Sequence, residues 1–446
     1  MSTTERQQVS TPSATVGWSP LTIAPVESAP LPRVYWRQWT ASVISNLGDG
    51  INFVAMPLLA LTLTTDPRLL ALTTLAVFVP WLLIGLPAGV MVDRFDRRRL
   101  MVCANVIRVA LFSLVAVGAA AGWLDIPILV VLLIMIGCCE VLFDSSAQAF
   151  LPLIVAPAQL GRANSYLFAA EVVAGSIVGL SIGALLFDAA IGLPFAVNAA
   201  SFAVAGALIA TIEVVRARHV EPAQAKPDWG LGVGLRFLWG DRLLRTLAMM
   251  FTVTNLGLMF GQGVFVMYAV DELGLTSGEF GVLLAVTVMG AATGGLIGHH
   301  VMSALGVRAS VVAPYLAFGA GNIVIGLATS AWVVAATGFV LGASITVWNV
   351  VTVTVRQRVI PVDRFGRVNA VYRWLGAAAS AVGVAAGGFV ANQWSVRTPF
   401  LVGGVVTVLA AMLFARPVLT ALGASRTDQL AIVPPLPRTP APPSIT

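Results

Sequence analysis

From Asp93 to Arg99 the chain carries six charges in seven residues, Asp93-Arg94-Phe95-Asp96-Arg97-Arg98-Arg99. Apolar runs lie on both sides, about 70–92 and 100–121, each long enough to cross a bilayer. Hydrocarbon offers backbone amides no partner, so such runs must close their hydrogen bonds internally as helices. A knot of charge between two of them must then be a tight loop at a membrane face. The knot is basic on balance, and basic loops favour the cytoplasmic side.

Ten further apolar runs follow the same logic, near 36–64, 127–147, 164–187, 194–214, 245–270, 278–300, 309–328, 331–354, 370–391 and 398–415. Asp66-Pro67-Arg68 and Asp125-Ile126-Pro127 turn the chain between runs. The expected fold is an all-α membrane protein with twelve transmembrane helices. An even number leaves both termini on one side, the cytoplasmic side of a plasma or inner cell membrane. Residues 1–32 read as a polar cytoplasmic tail without the apolar core of a signal peptide. A first six-helix half covers 33–214, and a polar central loop with an amphipathic segment, Leu231–Leu244, covers 215–244. A second half covers 245–416 and a Pro-rich cytoplasmic tail 417–446.

Charge bears on the choice of partner. The net charge of +6 invites a nucleic-acid reading, but 23 of the 26 basic residues fall in segments assigned to the cytoplasm. Arg68 and Arg397 fall in outer loops, and Arg108 inside a span. Topology accounts for the charge, and no nucleic-acid partner is expected. The three cysteines, Cys103, Cys138 and Cys139, lie in apolar runs and read as small buried hydrophobes. No metal or other cofactor is expected. Without a G-x-x-x-x-G-K-[ST] loop an ATP-driven pump is excluded unless a partner supplies the motor, and no catalytic arrangement of Ser, His and Asp suggests an enzyme.

The halves carry an internal repeat. An offset of 205 aligns Gly161-Arg162-Ala163-Asn164 with Gly366-Arg367-Val368-Asn369 and Pro194-Phe195 with Pro399-Phe400. It also pairs Gly85, Gly89 and Gly183 with Gly290, Gly294 and Gly388. The charged loop has a worn copy at Gly298-His299-His300, which reads as a degenerate interfacial loop.

The pattern Gly89-x3-Asp93-Arg94-x2-Arg97-Arg98 resembles the loop between the second and third helices of the major facilitator superfamily. The two homologous six-helix halves are that superfamily's architecture. The family form has Gly where this chain has Asp96, a residue that tolerates a left-handed turn. The segments 151–164 and 358–369, with Leu47-Gly48-Asp49-Gly50 of the first helix, are similar to the branch containing macrolide-efflux proteins and enterobactin exporters. Gly175-x3-Gly179 and Gly183 resemble the exporters' glycine-rich motif, with Leu180 in place of its Pro. The resemblance implies alternating access, and a relay of Asp93, Arg97 and Asp144 bracing a cytoplasmic gate. Arg94, Arg98 and Arg99 are read as anchors at the inner face.

Charges inside spans are costly unless paired or wet. Asp49, Arg108, Glu140 and Glu171 are such charges, all in the first half. Desolvation favours a neutral carboxyl and a nearby arginine reverses that, so such a set can take up and release a proton. Asp49 is the first candidate for proton coupling, with Glu140 and Glu171 behind it. An ion pair of Arg108 with Glu140 or Glu171 is the structural alternative. Candidates for a substrate cavity are Asp49, Asn52, Asn198, Asn255, Gln262, Trp348 and Asn349. The reading is a monomeric, proton-coupled exporter of a small amphipathic molecule such as a drug, natural product or siderophore. An importer, a lysophospholipid flippase, or a non-transporting sensor or scaffold docking through Pro434-Pro435-Leu436-Pro437 are the rivals.

Overall fold

The computed structural model describes residues 30–156, 159–212, 231–360 and 362–424. Most of the two expected tails and of the central loop lie outside them. Twelve stretches among the described residues are long and apolar enough to cross a membrane, and no strand occurs among them. The first six are α1 (Arg33–Leu63), α2 (Pro67–Arg94), α3 (Arg97–Ala121), α4 (Ile126–Ile154), α5 and α6 (Leu193–Ala210). Helix α5 is continuous but composite: Leu160–Ala170, a π-helical stretch Glu171–Gly179, then Leu180–Ala189. A short α7 (Leu231–Gly240) precedes α8 (Arg242–Gln262), which is followed by Phe265–Met267 and a π turn, Tyr268–Glu272. Then come α9 (Ser277–Leu327), whose two arms each span, α10 (Ala331–Val359), α11 (Val362–Gln393) and α12 (Thr398–Ala424).

Short acidic side chains set most of the starts. Asp66, Asp125 and Asp241 each accept a hydrogen bond from a backbone N–H in the first turn of α2, α4 and α8. Thr276 and Glu279 form a reciprocal capping box on α9. Each cap contributes about 1 kcal/mol by satisfying an otherwise orphaned donor. Asp66 does so while bonded to the Arg68 guanidinium, which holds its carboxyl below the usual range.

Several sequence expectations change here. Asp96 does not adopt a left-handed turn; it is extended (φ −63°, ψ 117°) and caps α3 by accepting from Arg99 N–H at 2.8 Å. Asp suits the position because it caps. Gly298, His299 and His300 are helical, and the α9 turn comes later, at Gly306 with φ +74°. Glycine takes that conformation without steric penalty. Helix α8 stops at Gln262, eight residues before its expected end, where Gly261 and Gly263 weaken the helix. Helix α12 instead continues through Pro417 to Ala424, into the expected tail. Leu231–Leu244 is α7, the Asp241 cap and the first turn of α8. Its Leu238 is buried against Val368 and Tyr372 of α11. Cys139 is buried, but Cys138 is half-buried and Cys103 exposed, so only one of the three is a core residue.

The two halves pack alike. Helix α1 lies against α5 and α6, α2 against α4, and α3 against α6. In the second half α8 lies against α11 and α12, and α9 against α10 and α12. The halves meet along α2–α11 and α5–α9. At the ends far from the Asp93–Arg99 loop these contacts are close: a Cβ at Gly281 would fall 2.9 Å from the Ala184 methyl, and one at Gly388 would strike Ala71.

Inside the first half α1 and α5 are in backbone contact. A Cβ on Gly50 would land on the Gly175 carbonyl, and one on Gly179 would lie 2.8 Å from the Gly50 Cα. Gly50→Leu should therefore destabilise the fold by about 3 kcal/mol or more and leave little monodisperse protein after detergent extraction. Gly85→Leu, with only Trp81 nearby at 3.9 Å, should behave like the parent in the same chromatography.

Tyrosine hydroxyls tie helices together. Tyr35 donates to Ala163 O (2.9 Å), Tyr268 to Ile325 O (2.7 Å), Tyr315 to Met250 O (3.1 Å) and Tyr372 to Leu247 O (2.7 Å). All four rings are fully buried, and each buried hydroxyl finds the partner that burial demands.

Candidate functional site: an acidic cavity around Arg108

Polar side chains of α1, α3, α4 and α5 converge on one cavity of about 480 Å³ at mid-depth, extending toward the charged-loop side. That volume lies within the range of small-molecule sites. Helical spacing explains the convergence. Ser45 and Asp49 are one turn apart on α1, and Glu140, Asp144 and Gln148 follow at successive turns on α4. Glu171 opens the π-helical part of α5, where Gly175 and Ser176 also reach the cavity. Phe53 and Phe143 add aromatic wall, and Val288 of α9 is the second half's contribution to the lining.

Arg108 organises the cluster. It is 2% exposed, which makes it the largest charge that the first half buries. Its guanidinium carbon lies 4.6 Å from the Phe202 ring centre and 5.5 Å from that of Phe143. Glu140 approaches to 3.8 Å, an ion-pair contact too long for a hydrogen bond, and Arg108 Nε has no partner. The Glu140 side chain is 48% exposed, so the pair is dry at one end and wet at the other. Of the two pairings open in the sequence, the structure has Arg108 with Glu140.

Asp49, Arg108, Glu140 and Glu171 thus share one cavity, and Asp144 joins them. The sequence reading set Asp144 apart as a gate residue beside Arg97. Instead Arg97 donates to the Ala149 carbonyl at 3.2 Å, further along α4. Arg98 bonds the Ala210 carbonyl at the end of α6, which Arg37 supports through Thr211 O (2.9 Å). These cations sit where a helix C-terminus favours them. Arg94 ends α2, exposed. Gly89 and Asp93 fall within α2, but the relay assigned to Asp93 rests on a side chain outside the described residues.

The expected substrate-cavity residues are scattered. Asn198 is fully buried where α6 meets Gly48 of α1, and it accepts from Ser201 at 3.1 Å. Asn52 is not in the acidic lining, and its Oδ1 is buried without a partner. Asn255 bonds the Phe251 carbonyl one turn back at 2.8 Å, the usual retreat of an amide inside an apolar helix. Trp348 is buried and stacked on Phe251, ring centres 5.8 Å apart, and Asn349 is exposed outside the lining. Gln262 lines a separate, mostly apolar cavity of about 240 Å³ inside the second half, with Asn322 and Phe318. Sequence reasoning missed Ser45, Asn46, Phe53, Gln148 and Ser176. The period-four row Glu140-Asp144-Gln148 is the signal that would have found the last acid and its amide neighbour.

Residues 24–437 match the transmembrane secretion effector family. The chain belongs to this family of the major facilitator superfamily. The chain is 29% identical over 383 residues to the multidrug efflux pump Tap of Mycolicibacterium fortuitum, covering 81% of this chain and 90% of that one. The Tap pump of Mycobacterium tuberculosis is 30% identical over 278 residues, 60% of this chain. The match spans 64% of that relative's length. Among solved structures, the nucleoside transporter NupG superposes with a TM-score of 0.69 at 12% identity, over 86% of this chain and 99% of that one. A bacterial homologue of the iron transporter ferroportin in its inward-facing state gives 0.69 at 16% identity, over 88% and 99%. Both share the fold, and the twelve long apolar helices make this chain a multi-pass membrane protein.

Proposed function

We propose that the chain is a secondary active exporter that exchanges a small amphipathic molecule for protons by alternating access. The observation that carries the reading is the acidic cavity. Four carboxylates surround one buried arginine at mid-depth, while the far ends of the halves are closed by contacts such as Gly281 on Ala184. Carboxylates in such a place hold a proton or lose it according to how wet and how paired they are. The likeness to multidrug efflux pumps supports the outward direction. In this reading the charged loop and both termini are cytoplasmic, the cavity faces the cytoplasm, and the chain works as a monomer. Inverted membrane vesicles acidified inside should accumulate fluorescent amphipathic compounds more than vesicles without the protein, and a protonophore should abolish the difference. Equal accumulation across a broad compound panel would count against proton-driven export.

A further inference from the structure

The acids lining the cavity all belong to the first half, and a cation of the second half, Arg373, stands near them across the interface. Arg373 on α11 is exposed, with its guanidinium carbon 5.2 Å from the centre of the Trp81 ring on α2. It stands eleven residues from the start of α11 at Val362, and Asp144 stands ten residues from the end of α4 at Ile154, so both lie at similar depth. Arg373 lies within electrostatic range of Asp144, as do Glu140 of the same helix, Arg108 of α3 and Glu171 of α5. Asp144 in turn acts on Asp49 of α1. Among the described residues no ion-pair contact joins Arg373 to Asp144.

The base of Arg373 is fixed to its own half. Its neighbour Tyr372 is buried, bonded through its hydroxyl to Leu247 O at 2.7 Å, and packed on Phe251 at 4.7 Å. Arg356 of α10 lies over the same tyrosine at 4.1 Å and donates to Asn369 Oδ1 at 2.9 Å. Arg373 therefore moves with the second half as a unit, and only its side chain is free to reorient. If the far end is to open, the halves must approach each other on the charged-loop side, which carries Arg373 toward α4.

We propose that Arg373 is the closing charge of the loop-side gate: it rests on Trp81 while the cavity is open on that side, and pairs with Asp144 when that side shuts. The proposal rests on the alternating-access reading above. It gives Asp144 a partner across the interface, in place of Arg97 within the first half. A guanidinium suits both positions, since it stacks on an indole and also grips a carboxylate.

The test is cavity accessibility. Ser176, in the cavity lining, becomes the reporter Ser176→Cys, in a background with Cys103, Cys138 and Cys139 replaced by alanine. An impermeant maleimide is applied from the loop side in vesicles of defined orientation. Arg373→Gln and Asp144→Asn should each raise the labelling rate several-fold, because the shut state loses its pair. Arg373→Lys, and the charge swap Arg373→Asp with Asp144→Arg, should label within about twofold of the parent. Unchanged labelling in Arg373→Gln, or a swap that labels as fast as the single variants, overturns the gate. The readout needs neither substrate nor pH gradient. Absence of pH-gradient-driven export by the parent, with this labelling pattern intact, would therefore count against proton coupling and leave the gate standing.

Discussion

Asp49→Asn should abolish pH-gradient-driven accumulation in inverted vesicles while leaving downhill exchange of the same compound measurable. Asparagine keeps the shape and most of the hydrogen bonding of aspartate but has no proton to exchange. Asp49 shares its cavity with Arg108, Glu140, Asp144 and Glu171, and an isolated charge at this depth would cost several kcal/mol. Its state is thus set by the arginine and by water, both of which change when the halves rock. Asp49→Glu restores a titrating group on a longer arm, and should regain part of the uphill transport with a shifted pH optimum. Full uphill transport by Asp49→Asn would move the proton to Glu140, Asp144 or Glu171.

Arg108→Leu should lower transport at least as severely and also weaken the fold. The substitution removes the buried cation around which the carboxylates gather, and its stacking on Phe202 at 4.6 Å. Breaking a fully buried pair costs roughly 3–5 kcal/mol, and half-exposed Glu140 recovers water, so the expected loss is about 1–3 kcal/mol. Arg108→Lys keeps the charge but not the flat contact with the ring, and should fall between leucine and the parent in both thermal stability and transport rate. A leucine variant that transports at the parent rate would show that the carboxylates do not depend on the arginine.

Much of the fold is legible in the sequence because membrane spanning is written in composition and length, with little help from tertiary context. The halves are legible from the Gly-Arg-x-Asn and Pro-Phe repeats. Boundaries are less so, since they depend on local chemistry: Asp96 ends a loop by capping, Gly306 makes the α9 turn, and α12 runs through Pro417. Of the site, four charges are found because a charge in hydrocarbon demands an explanation. Asp144 is set apart from the other acids because a family relay outweighed its position one turn from Glu140, on the same cavity wall. Most of the amide candidates lie away from the acidic cavity, for a physical reason. Asn255 bonds within its own half and Asn198 is buried against Ser201 with its Nδ2 unpartnered, so polarity inside a span does not imply a place on the cavity wall. Residues such as Phe53 and Ser176 are ordinary in sequence and become notable only through what faces them.

The tyrosine hydroxyls divide mechanical compliance unequally between the halves. Tyr268, Tyr315 and Tyr372 each bolt one helix of the second half to the backbone of another, whereas among the described residues Tyr35 is the single counterpart in the first. The first half also holds the nine-residue π-helical stretch, whose wider turns share each carbonyl over a longer reach, where the second half has only a five-residue π turn among the described residues. If such a molecule rocks, the bolted half is expected to turn as one piece and the π-helical stretch of α5 to take up the bending. In the alternating-access reading that strain would fall on the segment that begins at Glu171, so one of the acids that would read the proton sits where the helix is wound most loosely.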